Sequence, residues 1–389
     1  MKSTTLILFA TMIFLFPLRA NSSDLSFFYR NNLLFNYGTT DSVGFAYGAY
    51  GNLFRKSFTG VMYSGIFNYT EGNMTGLQVS PFNYVQGDFT GVQLNTLVGL
   101  VDGNANGLQL SVFISYAGGN FDGFQIAGFM SHTMGNFDGI QAAIVNITEG
   151  SFSGLQLSPV FNIVGKNSSG VQFSFGVNGA EGKFTGLQFS FIVNFADSIK
   201  GVQFGYVNKA GEVTGVQAGS YNYVSKLNGL QVGFGNLARS GNGLQIGFAN
   251  ISNDYKGYAV SPIIFNLKEF IDLEAGWTSF AKPYGGIISG TEKSYTMLTY
   301  SPSLKDDDEG AFGVHYGIRH RDKTWMFESD IGYVWNTAEN GRYRGFSAIR
   351  FRLHHRFTEH WSFFAGMELL RIFEGENSGP RWFMGVRLQ

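Results

Sequence analysis

The last third of the chain carries acidic and basic side chains in groups whose sign alternates along the sequence. These groups are Asp272 and Glu274; His315 and Arg319; Glu328 and Asp330; Arg350, Arg352, His354 and Arg356; and Glu368. If successive groups lie on neighbouring strands, opposite charges meet across the sheet. Such a cluster could form a charged pore constriction that selects solutes, or an ion-pair network inside a barrel. The alternation of sign favours the network, because charges that face inward need partners.

Residue types that catalyse reactions or bind metals do not form a recognisable pattern. The densest histidine group is His354, His355 and His360. Adjacent residues of a strand point to opposite faces, so His354 and His355 do not readily share a metal. The chain has no Cys, which excludes disulfides and a thiol nucleophile, and no HExxH or GxSxG motif occurs. We therefore expect no enzyme activity, no cofactor and no bound metal.

The charged groups lie on segments that alternate with a period of two, as β-strands do. In the segment 325–335, Trp325, Phe327 and Ile331 alternate with Glu328 and Asp330. A strand with aromatic residues on one face and charges on the other is typical of outer-membrane proteins. Residues 258–389 are therefore predicted to be strands of the outer-membrane type.

A second pattern, the phrase Gly, Leu or Val, Gln, apolar residue, recurs through residues 58–257. Its glycines, spaced by 14 to 16 residues, are Gly60, Gly76, Gly91, Gly107, Gly123, Gly139, Gly154, Gly170, Gly186, Gly201, Gly215, Gly229, Gly243 and Gly257. A fixed period of this kind indicates a repeat architecture. In one unit, Leu187 and Phe189 alternate with Gln188 and Ser190, so each repeat is predicted to be a small β-unit.

Two all-β architectures are consistent with these repeats. Charged residues fall in the connectors, and the uncharged segments of about 10 or 11 residues are long enough to cross a bilayer. This length favours one antiparallel transmembrane barrel of about 20–22 strands. The alternative is a parallel β-solenoid, with the apolar face in the core and Gln and Asn in ladders, followed by a C-terminal barrel of about eight strands.

Composition and the N-terminus indicate where the protein is found. The net charge of −1 gives no reason to expect a nucleic-acid partner, and only 14% of the 389 residues are charged, against about 25% in typical soluble domains. Residues 1–22 read as a signal peptide, with Lys2, an apolar stretch at 5–17 and a cleavage site near Ala20. Residues 23–57 are predicted to be N-terminal strands, and we expect an exported protein.

Three features of the chain together resemble bacterial surface-repeat proteins of largely unassigned role. They are the tandem G-[LV]-Q-hydrophobic units, the Asn seven or eight positions after each glycine (for example Asn178 and Asn194), and the export signal. The C-terminal part resembles outer-membrane β-barrels, although Leu388 and Gln389 stand where such barrels usually end in an aromatic residue. The resemblance implies no catalytic residues.

These observations together predict an outer-membrane or cell-surface protein without catalysis, either a porin-like channel or a structural barrel. The alternative is a cell-surface solenoid that serves in adhesion or binding and is anchored by a C-terminal barrel. The expected partners are outer-membrane lipid and small solutes or surface ligands.

Overall fold

The regular secondary structure of the described chain is entirely β-strand. The computed structural model describes residues 34–268, 271–278, 283–302, 310–337, 343–372 and 380–389. Residues 1–22, the predicted signal peptide, lie outside these ranges, and the predicted N-terminal strands are described from residue 34 onward. No helix in the described ranges is long and apolar enough to cross a membrane. The chain divides into two compact units, residues 1–116 and 117–389.

The first unit consists of parallel β-coils. Its strands are β1 (Phe35–Gly38), β2 (Ser42–Gly48), β3 (Gly51–Phe54), β4 (Phe58–Ser64), β5 (Phe67–Thr70), β6 (Met74–Val85), β7 (Phe89–Val101), β8 (Ala105–Ser111) and β9 (Ile114–Ala117). Strands β1 to β7 each pair in parallel with their equivalent one coil later, so that Gly60 lies on Gly76 and Asn52 on Asn68. Asn52 Nδ2 donates to Asn68 Oδ1 at 2.7 Å.

The second unit begins with the same kind of coil, which extends to residue 268. Its strands are β10 (Phe121–Ala127), β11 (Met130–Thr133), β12 (Phe137–Ala142), β13 (Val145–Thr148), β14 (Phe152–Ser158), β15 (Phe161–Val164), β16 (Ser168–Ser174), β17 (Val177–Ser190), β18 (Val193–Phe204), β19 (Val207–Ala218), β20 (Tyr221–Leu227), β21 (Leu230–Gly241), β22 (Leu244–Tyr255), β23 (Tyr258–Val260) and β24 (Ile263–Asn266). In β16 and β17, Gly170 lies on Gly186 and Gln172 on Gln188. We call residues 117–268 the solenoid.

The prediction of one antiparallel barrel of 20–22 strands is wrong for the repeats, and the alternative of a solenoid with a C-terminal barrel is confirmed. The repeats pair in parallel because identical units then place identical side chains on one another. Gln188 Nε2 donates to Gln172 Oε1 at 2.7 Å, and Asn178 Nδ2 donates to Asn194 Oδ1 at 3.0 Å. Each amide both donates and accepts, so a column of amides satisfies itself.

The solenoid interior differs from the sequence expectation. We expected the apolar face in the core, but Gln188 and Asn194 are completely buried while Leu187 and Phe191 are exposed. The apolar part of the interior is a column near the connection between coils, formed by residues such as Phe184 and Ile199. The solenoid therefore encloses amides and presents most of its large apolar side chains outward.

The repeated glycine is required by the close approach of successive coils. Gly186 has φ +136°, and a Cβ at this position would lie 2.0 Å from the carbonyl oxygen of Gly170. Only glycine adopts this conformation without strain and leaves room for the neighbouring backbone. The same approach recurs at Gly201 and Gly215, which explains why the glycine column is so regular.

The rest of the second unit is a closed barrel of eight antiparallel strands. These are β25 (Asp272–Thr278), β26 (Pro283–Gly290), β27 (Ser294–Ser301), β28 (Ala311–Arg321), β29 (Trp325–Thr337), β30 (Tyr343–Arg356), β31 (Trp361–Ile372) and β32 (Arg381–Leu388). Pairing of β25 with β32 closes the barrel. Strands β23 and β24, which the sequence analysis grouped with the C-terminal strands, belong to the last coil of the solenoid.

Candidate functional site: the barrel interior

The barrel turns most of its strand charges inward and most of its aromatic residues outward, as the alternation of each strand requires. Glu328 and Asp330 of β29 are buried, whereas Phe327 and Ile331, which point to the other face of the strand, are exposed. Antiparallel pairing sets Glu328 opposite Arg352 and Asp330 opposite Arg350. Neighbouring strands of opposite sign therefore meet inside the barrel.

Arg352 lies at the centre of the charged cluster and is completely buried. Its Nη1 donates to both carboxylate oxygens of Glu274, at 2.9 and 3.0 Å. Its Nη2 donates to Asp330 Oδ2 at 2.8 Å and to the Tyr295 hydroxyl at 2.6 Å, and lies 3.2 Å from Glu328 Oε2. One guanidinium thus joins carboxylates from two non-adjacent strands, β25 and β29.

Arg387 of the last strand closes the cluster on its other side. Its Nη1 and Nη2 donate to the two oxygens of Glu328 at 2.7 and 2.8 Å, which is a bidentate pair. Its Nη2 also donates to Glu274 Oε2 at 2.6 Å. Glu274 and Glu328 are therefore each held by the same two arginines, Arg352 and Arg387.

Asp330 and Glu328 have further polar neighbours. Arg350 Nε donates to Asp330 Oδ1 at 2.8 Å, and the Tyr295 hydroxyl donates to Asp330 Oδ2 at 2.8 Å. His315 Nδ1 lies 3.2 Å from Asp330 Oδ1, and His354 Nε2 lies 3.1 Å from Glu328 Oε2.

The central charges balance. They comprise three carboxylates and three guanidinium groups, from Glu274, Glu328, Asp330, Arg350, Arg352 and Arg387. Buried charges are tolerated when each is paired and hydrogen-bonded, which is the case here.

The remaining predicted residues lie at the periphery of this cluster or near the rim. Asp272 pairs with Arg319 at 3.3 Å and also lies 4.0 Å from Arg387 Nη1 of the central cluster. Arg356 Nη2 donates to the Gln389 side chain at 2.8 Å. Glu368 is half-buried and lies in register with Arg350 on the adjacent strand.

The sequence analysis missed Arg387, Tyr284 and Tyr295. Tyr284 donates to Glu274 Oε1 at 2.9 Å, so all three contact the central carboxylates directly. The alternation in β32, where Phe383 and Arg387 are buried and Trp382 is exposed, was a signal that could have found Arg387. The two tyrosines carry no charge and therefore were not part of the sign pattern.

The ion pairs link the strands of the barrel to one another, and each central charge is paired with another charge of the cluster. Within the described ranges, no group of three or more His, Asp or Glu side chains is placed to hold a metal ion. The arginines point at carboxylates instead of at an open cavity. The centre of the interior is thus a polar core in which charged side chains from opposite strands contact one another.

Comparisons with known proteins give little further information about this fold. The chain matches no protein-family model and no curated protein. Among solved structures it is similar to the N-terminal β-barrel domain of Pseudomonas aeruginosa OprF, with 14% identity over 30% of this chain and 95% of that chain and a TM-score of 0.26. A de novo designed transmembrane β-barrel has 6% identity over 30% of this chain and 91% of its own length, with a TM-score of 0.22. Likeness at this level carries no conclusion about function.

Proposed function

We propose that the chain is an exported, non-catalytic outer-membrane protein in which the barrel is a closed anchor and the solenoid is the binding module that it holds at the membrane. The observation that carries this proposal is the contrast between the two faces of the barrel wall. The outward face is apolar and aromatic, and the inward face is a filled network of ions.

The outward face supports a lipid environment. Trp277, Ile331, Phe363, Trp382 and Met384 each have more than half of their surface exposed, and they come from four different strands. Water-soluble proteins rarely expose contiguous apolar areas this large. In outer-membrane barrels, by contrast, an apolar band of about 25 Å with flanking aromatic residues surrounds the wall.

The interior favours an anchor over a porin-like channel. Arg352, Arg387, Glu274 and Glu328 have completely buried side chains inside the barrel. Opening a path for solutes would separate these pairs and leave charges uncompensated in a medium of low dielectric constant, which costs several kcal/mol for each ion. Small eight-stranded barrels are in general filled by their own side chains.

The first experiment compares two lysine substitutions in the full chain refolded into lipid vesicles. Ile331→Lys places a charge in the middle of the outward face, where a lipid-facing cation costs about 2–4 kcal/mol. Thr324→Lys places the same charge in the exposed turn between β29 and β28. We expect the first variant to lose most of the folded, membrane-inserted fraction and the second to retain it, as measured by the heat-dependent shift in gel mobility.

Two outcomes contradict the proposal. If the full chain is monodisperse and folded in buffer without detergent, the barrel is not a membrane anchor. If the inserted protein gives stepwise conductance in planar bilayers, the barrel is an open channel and the network is a constriction within it.

A further inference from the structure

We propose that the solenoid lies edge-on in one leaflet of the membrane and that the ligand of its apolar edge is lipid acyl chains. The apolar edge is the set of turns that join the first strand of each coil to the second, such as residues 191–192. The charged edge is the set of connectors from one coil to the next, such as residues 197–200. This inference rests on the proposed membrane anchoring and deepens it.

Charged residues of the solenoid are almost all confined to the charged edge. They are Asp122, Asp138, Glu149, Lys166, Glu181, Lys183, Asp197, Lys200, Glu212, Lys226, Arg239, Asp254, Lys256 and Lys268. Within the solenoid, Lys209 is the one charge on an outer face, and its long side chain can extend toward the nearest polar layer. A soluble solenoid has no physical reason for this segregation, whereas a leaflet-embedded one requires it.

The apolar edge exposes large aromatic and aliphatic residues coil after coil. Phe175, Phe191, Ile192 and Phe234 are each at least 55% exposed. The rings of Phe175 and Phe191, on adjacent coils, stack at 5.1 Å and form part of an apolar ridge along this edge. Transfer of such a ridge from water into hydrocarbon is favourable by about 25 cal/mol for each Å² of apolar surface.

The solenoid interior also meets the main requirement of a membrane environment. In hydrocarbon, polar groups must find partners inside the protein because no water is available. Parallel pairing satisfies the backbone between successive coils, as in β17 and β18. The buried amides of Gln188 and Asn194 are satisfied within their own columns.

The junction with the barrel sets the depth of the solenoid. The last coil lies along the outer wall of β27. Thr291 Oγ1 donates to the Gly257 carbonyl at 2.8 Å, and Thr296 Oγ1 donates to the Ser261 carbonyl at 2.8 Å. Gly257 adjoins the charged edge and Ser261 belongs to the apolar edge. The charged edge therefore lies at the hairpin turn of the barrel, and the apolar edge lies further along the outward wall.

The distance between these two contacts corresponds to about one leaflet. Thr291 and Thr296 are five residues apart. At about 3.3 Å per residue and a strand tilt of about 40°, five residues span roughly 12 Å along the barrel axis, or about half of the apolar band. Beyond Thr296 the outward residues of β27 are Leu298 and Tyr300, both exposed. The apolar ridge of the solenoid thus continues onto the wall that we assign to lipid.

The lengths of the barrel connections identify the leaflet. At the solenoid end the hairpin connections are residues 291–293, 322–324 and 357–360, whereas those at the other end are residues 279–282, 302–310, 338–342 and 373–380 and are longer on average. Short turns face the periplasm in outer-membrane barrels, and long loops face outward. The solenoid is therefore assigned to the periplasmic leaflet, which differs from the cell-surface position predicted from the sequence.

The test uses the absence of cysteine in the chain, so that a single introduced thiol can be labelled. Phe191→Cys reports on the apolar edge, Asp197→Cys on the charged edge of the same coil, and Ile331→Cys on the barrel wall. Each full-length variant carries an environment-sensitive fluorophore and is refolded into phosphatidylcholine vesicles with bromine atoms on the acyl chains. We expect the labels at 191 and 331 to be quenched several-fold more than the label at 197, with a blue-shifted emission.

The outcomes separate this inference from the proposed anchoring. If the label at 331 is quenched by the brominated lipid and the label at 191 is accessible to aqueous iodide, the solenoid is not embedded in the membrane. The proposed barrel anchor is unaffected by that result. Protection of position 191 from both quenchers means that another protein surface, such as a second copy, covers the edge, which also overturns the inference. An unquenched label at 331 contradicts the anchor itself. Phe175→Cys repeats the test if Phe191→Cys does not fold.

The side of the membrane is tested with the same Asp197→Cys variant in intact cells. We expect a membrane-impermeant maleimide to label it only after the outer membrane has been permeabilised. Labelling of intact cells overturns the assignment to the periplasmic leaflet.

Discussion

The solenoid and the barrel both enclose polar side chains and turn apolar ones outward, but they use different polar groups. Gln188 and Asn194 in the solenoid are neutral amides bonded to copies of themselves in adjacent coils. Arg352 and Glu328 in the barrel are ions bonded to partners of opposite charge. The same inside-out distribution of polarity is thus reached by two different chemistries.

Strand pairing explains the difference. In a parallel, in-register stack each residue faces its own equivalent, at a spacing of about 4.8 Å. A charge at an interior position would meet a like charge in each coil, so only a self-complementary group such as an amide can repeat there. In the antiparallel barrel, neighbours such as Asp330 and Arg350 are different residues, and opposite charges can be matched. The interior chemistry follows from the topology.

The largest effect is expected from breaking the barrel network at its centre. Arg352→Ala leaves Glu274, Glu328 and Asp330 short of a cation in a completely buried site. Loss of one partner from a buried charge network costs about 3–5 kcal/mol. The free energy of unfolding in micelles can be followed by tryptophan fluorescence, because all five Trp lie at residue 277 or later, in the barrel.

The matched control for this prediction is Arg321→Ala. Arg321 Nη2 donates to Gln389 Oε1 at an exposed site on the rim, so its removal should change the stability by less than about 1 kcal/mol. Equal losses for the two variants would mean that the central network does not stabilise the barrel more than a surface contact does.

The second prediction compares the replacement of a crowded glycine in the solenoid with that of an open glycine in the barrel. Gly186→Ala forces a residue with φ +136° and places its Cβ 2.0 Å from the Gly170 carbonyl oxygen. Strain of this kind costs about 1–3 kcal/mol, and the displacement of the neighbouring coil adds to it. We expect faster hydrogen exchange in the coils on both sides, measured by mass spectrometry.

Gly285→Ala in barrel strand β26 provides the comparison. The nearest heavy atom to a Cβ at this position is 4.0 Å away. The strand should therefore accept the alanine, and hydrogen exchange in β26 should be unchanged. Retention of normal exchange in Gly186→Ala would contradict the close approach of the coils.

The third prediction tests the amide ladder. Gln188→Leu removes the donor to Gln172 Oε1 and the acceptor of the bond from Gln203 Nε2. Buried polar atoms without partners cost about 1–3 kcal/mol, so we expect a loss of about 2 kcal/mol in the stability of these coils. Thr185→Ala, at an exposed position of the same strand, should have an effect below about 0.5 kcal/mol. A neutral result for Gln188→Leu would show that burial of the leucine compensates fully for the broken ladder.

The sequence was sufficient to predict the strands, the positions of the repeats along the chain and the alternation of charge in the barrel strands. The charges of Glu328, Asp330, Arg350 and Arg352 alternate in sign, and antiparallel pairing brings them together. An eight-stranded C-terminal barrel was the predicted alternative, whereas the exclusion of charge from the repeats led to the wrong prediction that each repeat crosses the membrane as a barrel strand.

Two features could not be deduced from alternation alone. A period of two is the same for parallel and antiparallel strands, and it does not reveal whether Leu187 or Gln188 faces inward. The decisive physical constraint is that an identical unit must be compatible with itself, which favours the parallel stack and buried amides. Arg387 stands outside the sign pattern, and its inward position follows only from the alternation of β32, in which Phe383 and Arg387 share the buried face.

The smallest effect is expected at the charged edge, where the solenoid resembles an ordinary protein surface. Lys226 Nζ lies 3.1 Å from Glu212 Oε1, with side chains that are 56% and 43% exposed. Exposed pairs of this kind contribute about 0–1 kcal/mol because water and salt screen them. Lys226→Ala should therefore leave hydrogen exchange in its coil nearly unchanged, as should Lys200→Ala two coil junctions away. If Lys226→Ala instead opened the coil as much as Gln188→Leu, ion pairs at the edge would stabilise the solenoid as strongly as the internal ladder, and the distinction between the amide-based solenoid and the ion-based barrel would fail.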